Sequence, residues 1–448
     1  MLVKLSLEEM ALACDGELVG DNQFVESVIT DTRKIEPSSV FVALRGEHFD
    51  GHDFAYQAIE MGAVCVVSDS ELQGICHIKV EDTRVAYGRI ANLIRHAFQG
   101  PVICITGSNG KTTVKDWLAQ SLSHKNVLKT RANLNNQIGL PQTLLELQPY
   151  HEVAVIEAGT NYPGEIASLA SIAQPDVVIL TNASGSHFEG LGSLEGIAIE
   201  KGSLITGAAD NATVILNSDD AFFDYWCGIA GQRKVLSFGF TDKASLFAKD
   251  IVLGAQSSQV TLCYQGETLS VEVGSPGRHQ IANGMAIVLA LMTVGMSFTD
   301  AAGKLAQAVQ VSGRLERLNT KKGALLINDC YNANPTSVKA AIDVLTMQAA
   351  SATWLVLGGL GELGERQDEF HAELGEYAKQ KDVSHLVCLG PLAAIAGKTF
   401  ENLGGDAHFC DHHEEAAVVV QELDKNHAIL VKGSRSAKME KIVEKLKD

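Results

Sequence analysis

Unbroken apolar runs alternate with stretches of helical spacing along most of the chain. The runs "PVICITG" (101–107), "VAVIEAG" (153–159), "DVVILTN" (176–182) and "TVILNSD" (213–219) show no polar alternation. A strand buried on both faces of a parallel sheet has this pattern. A further set, "ALLINDC" (324–330), "TWLVLGG" (353–359), "SHLVCLG" (384–390) and "AILVKGS" (428–434), repeats it. That second set is like a dinucleotide-binding sheet, yet no G-x-G-x-x-G follows a strand, so another ligand is expected. Between the two sets, residues 245–273 alternate and turn at Gln265-Gly266, which predicts an antiparallel appendage. Near the N-terminus the pattern predicts a helix capped by Ser6, the strands "VFVAL" and "AVCVVS", and a helix near Phe54–Met61. Arg84–Phe98 has helical spacing and leads into the next unit. The whole reads as an α/β chain of three domains: a small N-terminal α/β domain (1–82), a central, mostly parallel P-loop-type sheet (83–313), and a C-terminal Rossmann-like sheet (314–448).

Composition narrows the function. The chain has 448 residues, with 36 Lys and Arg against 54 Asp and Glu, a net charge of −18. Such an acidic balance argues against a nucleic-acid surface, because phosphate backbones need an excess of cationic side chains. The stretch "MLVKLSLEEMALACDGEL" places two glutamates where a signal peptide needs an apolar core. The longest apolar segment, around Ala286–Met296, falls short of the ~20 residues that span a bilayer. Nine cysteines are scattered without a CxxC pair, which suggests reduced thiols. A cytoplasmic, non-membrane, monomeric protein is expected. The run "FCDHHEE" offers zinc-type ligands, but they are adjacent rather than spaced for a tetrahedral site.

The candidate chemistry begins at "TGSNGKTT" (Thr106–Thr113). The strand "VICIT" runs through it into the helical stretch "TVKDWLAQSLS". Strand, glycine turn and helix form the context of a phosphate loop, although this one is shorter than the Walker A spacing. Backbone N–H groups of Gly107, Ser108, Asn109 and Gly110 would face an anion at the helix start. Lys111 would reach the phosphates, and Thr112 or Thr113 would offer a hydroxyl to Mg²⁺. Glu157 ends a buried strand, at the edge where α/β sheets bind ligands, and suits Mg²⁺. Asn182 and His187 follow another strand. Lys201 lies a helix further on; its neutral form could take up CO₂ and become a carbamate ligand, the alternative being a plain surface lysine. Asn133, Asn135 and Asn136 cluster before a turn, where amides either orient a polar substrate or make local turns.

The combination of TGSNGKTT, NLNNQIGLP, VIEAGTNYPGEI, TNASGSHFEGLGS and EKGS resembles the Mur ligase family, ATP-dependent ligases of peptidoglycan synthesis. The shortened loop is that family's form of the phosphate loop. "DTRKIEPSSVFVALRGEHFDGHDF", "NDCYNANPTS", "VLGGLGELGERQDEFH" and "LVKGSRSAKME" resemble, within it, the members that join D-alanyl-D-alanine to UDP-N-acetylmuramoyl-tripeptide. The resemblance implies ATP and Mg²⁺ as cofactors. ATP would lie on Gly107–Thr113, with Asn283 at the adenine and Arg314 and Asp329 closing from the domain junction. Thr112, Glu157, His187 and a carbamylated Lys201 would hold metal, and Lys111, Glu157, His187 and Lys201 would carry catalysis. Thr32, Arg33, Arg45 and Gly46 would bind the UDP-sugar. Tyr331, Asn332 and Asn334 would face the dipeptide. Ser203 departs from the acidic residue that many relatives carry after "KG". The rival readings are another Mur-type or folylpolyglutamate-type amide ligase, and a P-loop nucleotide switch.

Overall fold

The computed structural model describes every residue of the chain except Glu47 and Val309. Among the described residues, three large sheets organise it, beside a two-stranded ribbon of Leu5–Ser6 and Phe24–Val25. The N-terminal sheet has five strands in the spatial order Glu17–Val19, His77–Lys79, Ala63–Ser68, Ser39–Val42, Ser27–Ile29. The first pair is antiparallel and the rest are parallel. The predicted first helix, Leu7–Ala13, starts at a capping box in which Ser6 and Glu9 satisfy each other's backbone donors. It buries Leu7 and Met10 fully.

The central sheet has nine strands. Its order runs Glu267–Val273, Ser258–Tyr264, Leu246–Leu253, Lys234–Gly239, Thr213–Asn217, Val177–Leu180, Val102–Thr106, Val153–Glu157, Val127–Lys129. The strand Val102–Thr106 thus lies between Val177–Leu180 and Val153–Glu157, all parallel. From it the chain goes first to the sheet edge, returns beside it, and then crosses to its other side. Ligands bind above the carboxyl ends of strands at such a reversal of order. The expected appendage is part of this same sheet. Leu246–Leu253 pairs parallel with Lys234–Gly239, and only the last two strands are antiparallel. The turn at Gln265-Gly266 has positive φ at both residues, as a tight hairpin requires. The apolar helix Arg278–Thr293 is buried beneath the sheet, with Met285 through Leu291 fully covered. It packs on the helix Lys111–Ser121 through the core that holds Trp117 and Leu118. Each large apolar side chain so covered contributes about 1.5–3 kcal/mol. No helix among the described residues is long and apolar enough to cross a membrane.

The C-terminal sheet has six strands, Glu316–Asn319, Leu325–Asp329, His427–Lys432, Ala352–Gly358, His385–Leu389, Asp406–Cys410. Only the first is antiparallel. The helix Thr83–Ala97 lies against the central unit: Asn92 Nδ2 donates to the carbonyls of Ser171 and Ile172, and the Arg95 guanidinium to those of Ala173 and Gln174. Its Asp82 cap accepts from Arg84 and Val85.

Candidate active site

The phosphate loop is shaped by its two glycines. Gly107 has φ +148° and Gly110 φ +85°. A Cβ on Gly107 would stand 1.9 Å from Thr181 Oγ1, and one on Gly110 would stand 2.5 Å from Asn283 Oδ1. Only glycine satisfies both the backbone and the space. The neighbouring strand end clamps the loop. Thr181 Oγ1 donates to Asn109 O at 2.6 Å, Asn109 N to Asn182 Oδ1 at 3.1 Å, and Ser108 N to Asn182 O at 2.9 Å. The helix that follows, Lys111–Ser121, has no side-chain cap, so its first-turn N–H groups keep their capacity for an anion. Lys111 Nζ donates to Gly107 O at 2.6 Å. Burial lowers the Lys111 pKa, the Glu157 carboxylate opposes that, and Arg314 adds to it. Thr112 and Thr113 occupy the same first turn. Asn283 lies behind the loop, against Gly110, and donates to Gln280 Oε1 at 3.1 Å.

Glu157 ends its strand at the carboxyl edge, 3% exposed. Its Oε1 accepts from Asn135 Nδ2 at 2.9 Å, while Oε2 is buried without a hydrogen-bond partner among the described residues. Lys115 Nζ lies 3.9 Å from Oε2. A buried carboxylate oxygen left open costs free energy unless something binds it, and an oxygen-seeking divalent ion fits the vacancy in its bonding. Lys201 is 1% exposed on the helix Leu194–Thr206. Burial holds its pKa well below the lysine range, Lys111 pushes it the same way, and Glu200 opposes. The neighbouring Glu200 accepts from the N–H groups of Gly164 and Ile166, at 2.7 Å each, and so fixes the loop beyond Glu157. His187 sits at φ +59°, and its Nδ1 lies 2.5 Å from Glu362 Oε2 of the C-terminal unit. That imidazole holds the Glu362 pKa below the carboxylate range.

The C-terminal unit meets this edge directly. Asn334 caps the helix Pro335–Thr346, and its Nδ2 donates to Asn109 Oδ1 at 2.8 Å. Glu189 N donates to Glu362 O at 3.3 Å, and the Phe188 and Phe370 rings stack with centroids 5.7 Å apart. Arg314 lies over the Tyr331 ring at 4.4 Å, with Nε buried and without a hydrogen-bond partner among the described residues. Asp329 accepts from Leu315 N at 3.0 Å and from Lys432 Nζ at 2.5 Å. Lys432 also donates to Asn332 O at 3.2 Å.

Sequence patterns alone did not single out Lys432, Lys115 or Glu362. Lys432 closes an apolar strand in register with Asp329, the same strand-end signal that marked Glu157. The structure separates the three asparagines before the turn. Asn135 reaches Glu157, Asn136 Oδ1 accepts from the N–H groups of Ile138 and Gly139, and Asn133 is exposed. The N-terminal candidates make separate local contacts. Arg33 pairs with Asp31 on the short turn Thr32–Lys34, and Arg45 bridges Asp50 and Asp69. A Cβ on Gly46 would meet the Phe49 ring. The residues of "FCDHHEE" do not converge: Cys410 is buried at a strand end, His412 begins a helix, and His413 Nε2 lies against Ala437 O.

Three family models match the chain: the Mur ligase family catalytic domain over residues 25–94, the Mur ligase middle domain over 105–291, and the Mur ligase glutamate ligase domain over 313–435. The chain belongs to the Mur ligase family. Among its relatives, the UDP-N-acetylmuramoyl-tripeptide–D-alanyl-D-alanine ligase of Escherichia coli (strain K12) is 37% identical, covering 100% of this chain and 99% of that protein. A crystal structure of MurF from Acinetobacter baumannii superimposes with a TM-score of 0.90 at 31% identity, covering 99% of this chain and 98% of that one. MurF from Thermotoga maritima, solved with ADP, gives 0.83 at 27% identity, covering 94% and 97%. The three-domain α/β architecture expected from the apolar runs is the one these structures share.

Proposed function

We propose that this Mur ligase joins D-alanyl-D-alanine to UDP-N-acetylmuramoyl-tripeptide at the expense of ATP, in the cytoplasmic stage of peptidoglycan synthesis. One observation carries the reading most strongly: a phosphate loop and the open Glu157 oxygen share one sheet edge, the buried Lys201 feels the charge of the loop's Lys111, and a second sheet docks onto that edge through Asn334. The full-length likeness to the Escherichia coli ligase supports the choice of substrates. We assign residues 1–82 to the UDP-sugar, with Thr32, Arg33, Arg45 and Gly46 in its pocket. Residues 83–313 take the nucleotide, and 314–448 the dipeptide, near Tyr331, Asn332 and Asn334.

A carboxylate is a poor electrophile toward an amine. In the proposed reaction the tripeptide carboxylate accepts the γ-phosphoryl group and becomes an acyl phosphate. The dipeptide amine then attacks, and phosphate leaves. The protein positions the groups and offsets charge. Lys111 and Arg314 would face the phosphates, with Asp329 and Lys432 holding the junction. Asn283 would support the loop from behind and border the adenine. Thr112, Glu157, His187 and carbamylated Lys201 would hold Mg²⁺, which when bound spreads the charge of the transferring group. His187 would exchange its contact with Glu362 for that role. Phosphate release that requires both the UDP-linked tripeptide and D-alanyl-D-alanine tests the reading. Isotopic oxygen placed in the acceptor carboxylate should appear in that phosphate. A nucleotide switch would release phosphate without either acceptor, and another amide ligase would prefer a different amine.

A further inference from the structure

At the far rim of the C-terminal sheet lies a cluster that the ligase reaction does not use. His385 and Asp406 are the first residues of the last two strands and face each other in register. His408, two residues on, shares their face. Asp329 and Lys432 stand at the opposite, carboxyl ends of strands in the same sheet. His385 Nδ1 lies 2.8 Å from Asp406 Oδ2, and His408 Nε2 lies 3.9 Å from the same oxygen. One donor atom from each of the three falls within 4.8 Å of the others. The His408 Nε2 atom is buried with no hydrogen-bond partner among the described residues. Trp354, 8% exposed, stacks on His385 at 3.9 Å and on His408 at 5.7 Å, which holds both imidazoles in place.

We propose that His385, Asp406 and His408 form a binding site for a divalent transition metal of the zinc type, remote from the ligase centre. Two imidazoles and one carboxylate suit Zn²⁺, Co²⁺, Ni²⁺ or Cu²⁺; Mg²⁺ prefers oxygen donors and an octahedral shell. Bonds of ~2.0–2.2 Å in tetrahedral geometry set donor atoms ~3.4 Å apart. The observed separations of 2.8 and 3.9 Å bracket that value, so small side-chain rotations would close the site, with water as the fourth ligand. The bound ion supplies the partner that His408 Nε2 lacks. It also ties the edge strand Asp406–Cys410 to its neighbour, and an unsupported edge is the weak margin of a sheet.

The test uses the full chain, stripped with a chelator and titrated with Co²⁺ under saturating Mg²⁺. One equivalent should bind with the visible absorption of a four-coordinate site, and Zn²⁺ should displace it. His408→Gln, His385→Gln and Asp406→Asn should each weaken binding at least ~100-fold, since even indirect partners of a metal site cost ~10–100-fold. Each should keep acceptor-dependent phosphate release. His187→Ala should still bind the cobalt. Binding that survives all three substitutions, or that His187→Ala abolishes, overturns the proposal. Should the variants misfold, the wild-type protein decides. Zn²⁺ must shield His385 and His408 from diethylpyrocarbonate, read by peptide mass, and equal modification with and without Zn²⁺ refutes the site.

Discussion

The Asn334 side chain spans two domains: its Oδ1 caps the helix Pro335–Thr346 by accepting from Ser337 N, and its Nδ2 donates to Asn109 Oδ1 in the phosphate loop. One amide therefore joins the start of a C-terminal helix to the nucleotide cradle. Its two tasks are separable. Serine keeps the cap but is too short to reach Asn109, whereas alanine loses both. Asn334→Ser should melt near the wild type, yet lose roughly 2- to 10-fold in kcat/KM for ATP, the worth of one net hydrogen bond. Asn334→Ala should add a stability loss of ~1 kcal/mol for the missing cap. Equal melting losses in both variants would contradict the separation.

Lys111 is the cation closest in sequence to the expected phosphates, and its ammonium is held inward by the Gly107 carbonyl. A carboxylate approaching a triphosphate meets strong repulsion, and Lys111 would offset it. Lys111→Ala should lower turnover by at least ~10²-fold, as removal of one electrostatic stabiliser does elsewhere. Nucleotide binding measured by calorimetry should fall less than turnover. Turnover close to the wild type would remove Lys111 from the mechanism.

Lys201 combines burial with a second cation, Lys111, among the charges acting on it. Both disfavour the ammonium form and leave an amine able to take up CO₂. If a carbamate is its working form, Lys201→Ala should be nearly inactive, and short carboxylates such as formate or acetate should restore part of the turnover. Lys201→Arg, permanently charged, should not respond. Rescue absent in the alanine variant, or equal in both, would leave Lys201 as a buried structural lysine.

Much of this arrangement was legible in the chain because the parallel strands are buried on both faces and therefore read as unbroken apolar runs. Strands at the sheet edges were not. Val127–Lys129 and Asp406–Cys410 lie at sheet edges and are half-exposed, so neither carries the pattern. The alternation of Leu246–Val273 marked antiparallel pairing correctly, but could not reveal that its first strand extends the parallel sheet. Glu157 was readable from its place at the end of an apolar run. Lys432 had the same signal, and its meaning depends on Asp329, about a hundred residues away in sequence yet in register beside it. Contacts between domains, such as Glu362 on His187, leave no periodic trace at all.

His279 gives the junction a pH dependence whose sign can be worked out. It lies at the start of the helix Arg278–Thr293, and burial pushes its pKa down to about 4. The charges of Asp329 and Asp343 oppose that shift, and Lys432 adds to it. In the unfolded chain the imidazole titrates near ~6.5. Between these values the unfolded state binds more protons, so this group's contribution to stability is fully present above ~6.5 and is lost as pH falls toward 4. At 1.36 kcal/mol per pH unit the loss is about 3 kcal/mol; His279 is partly exposed, and solvent screening brings it nearer 2 kcal/mol. Urea unfolding of the wild type and of His279→Gln at pH 7 and pH 5 measures the part of it that falls above pH 5, roughly 1 kcal/mol. The glutamine variant should lose less stability over that interval. Parallel losses in the two proteins would show that His279 is already free to ionise in the folded state.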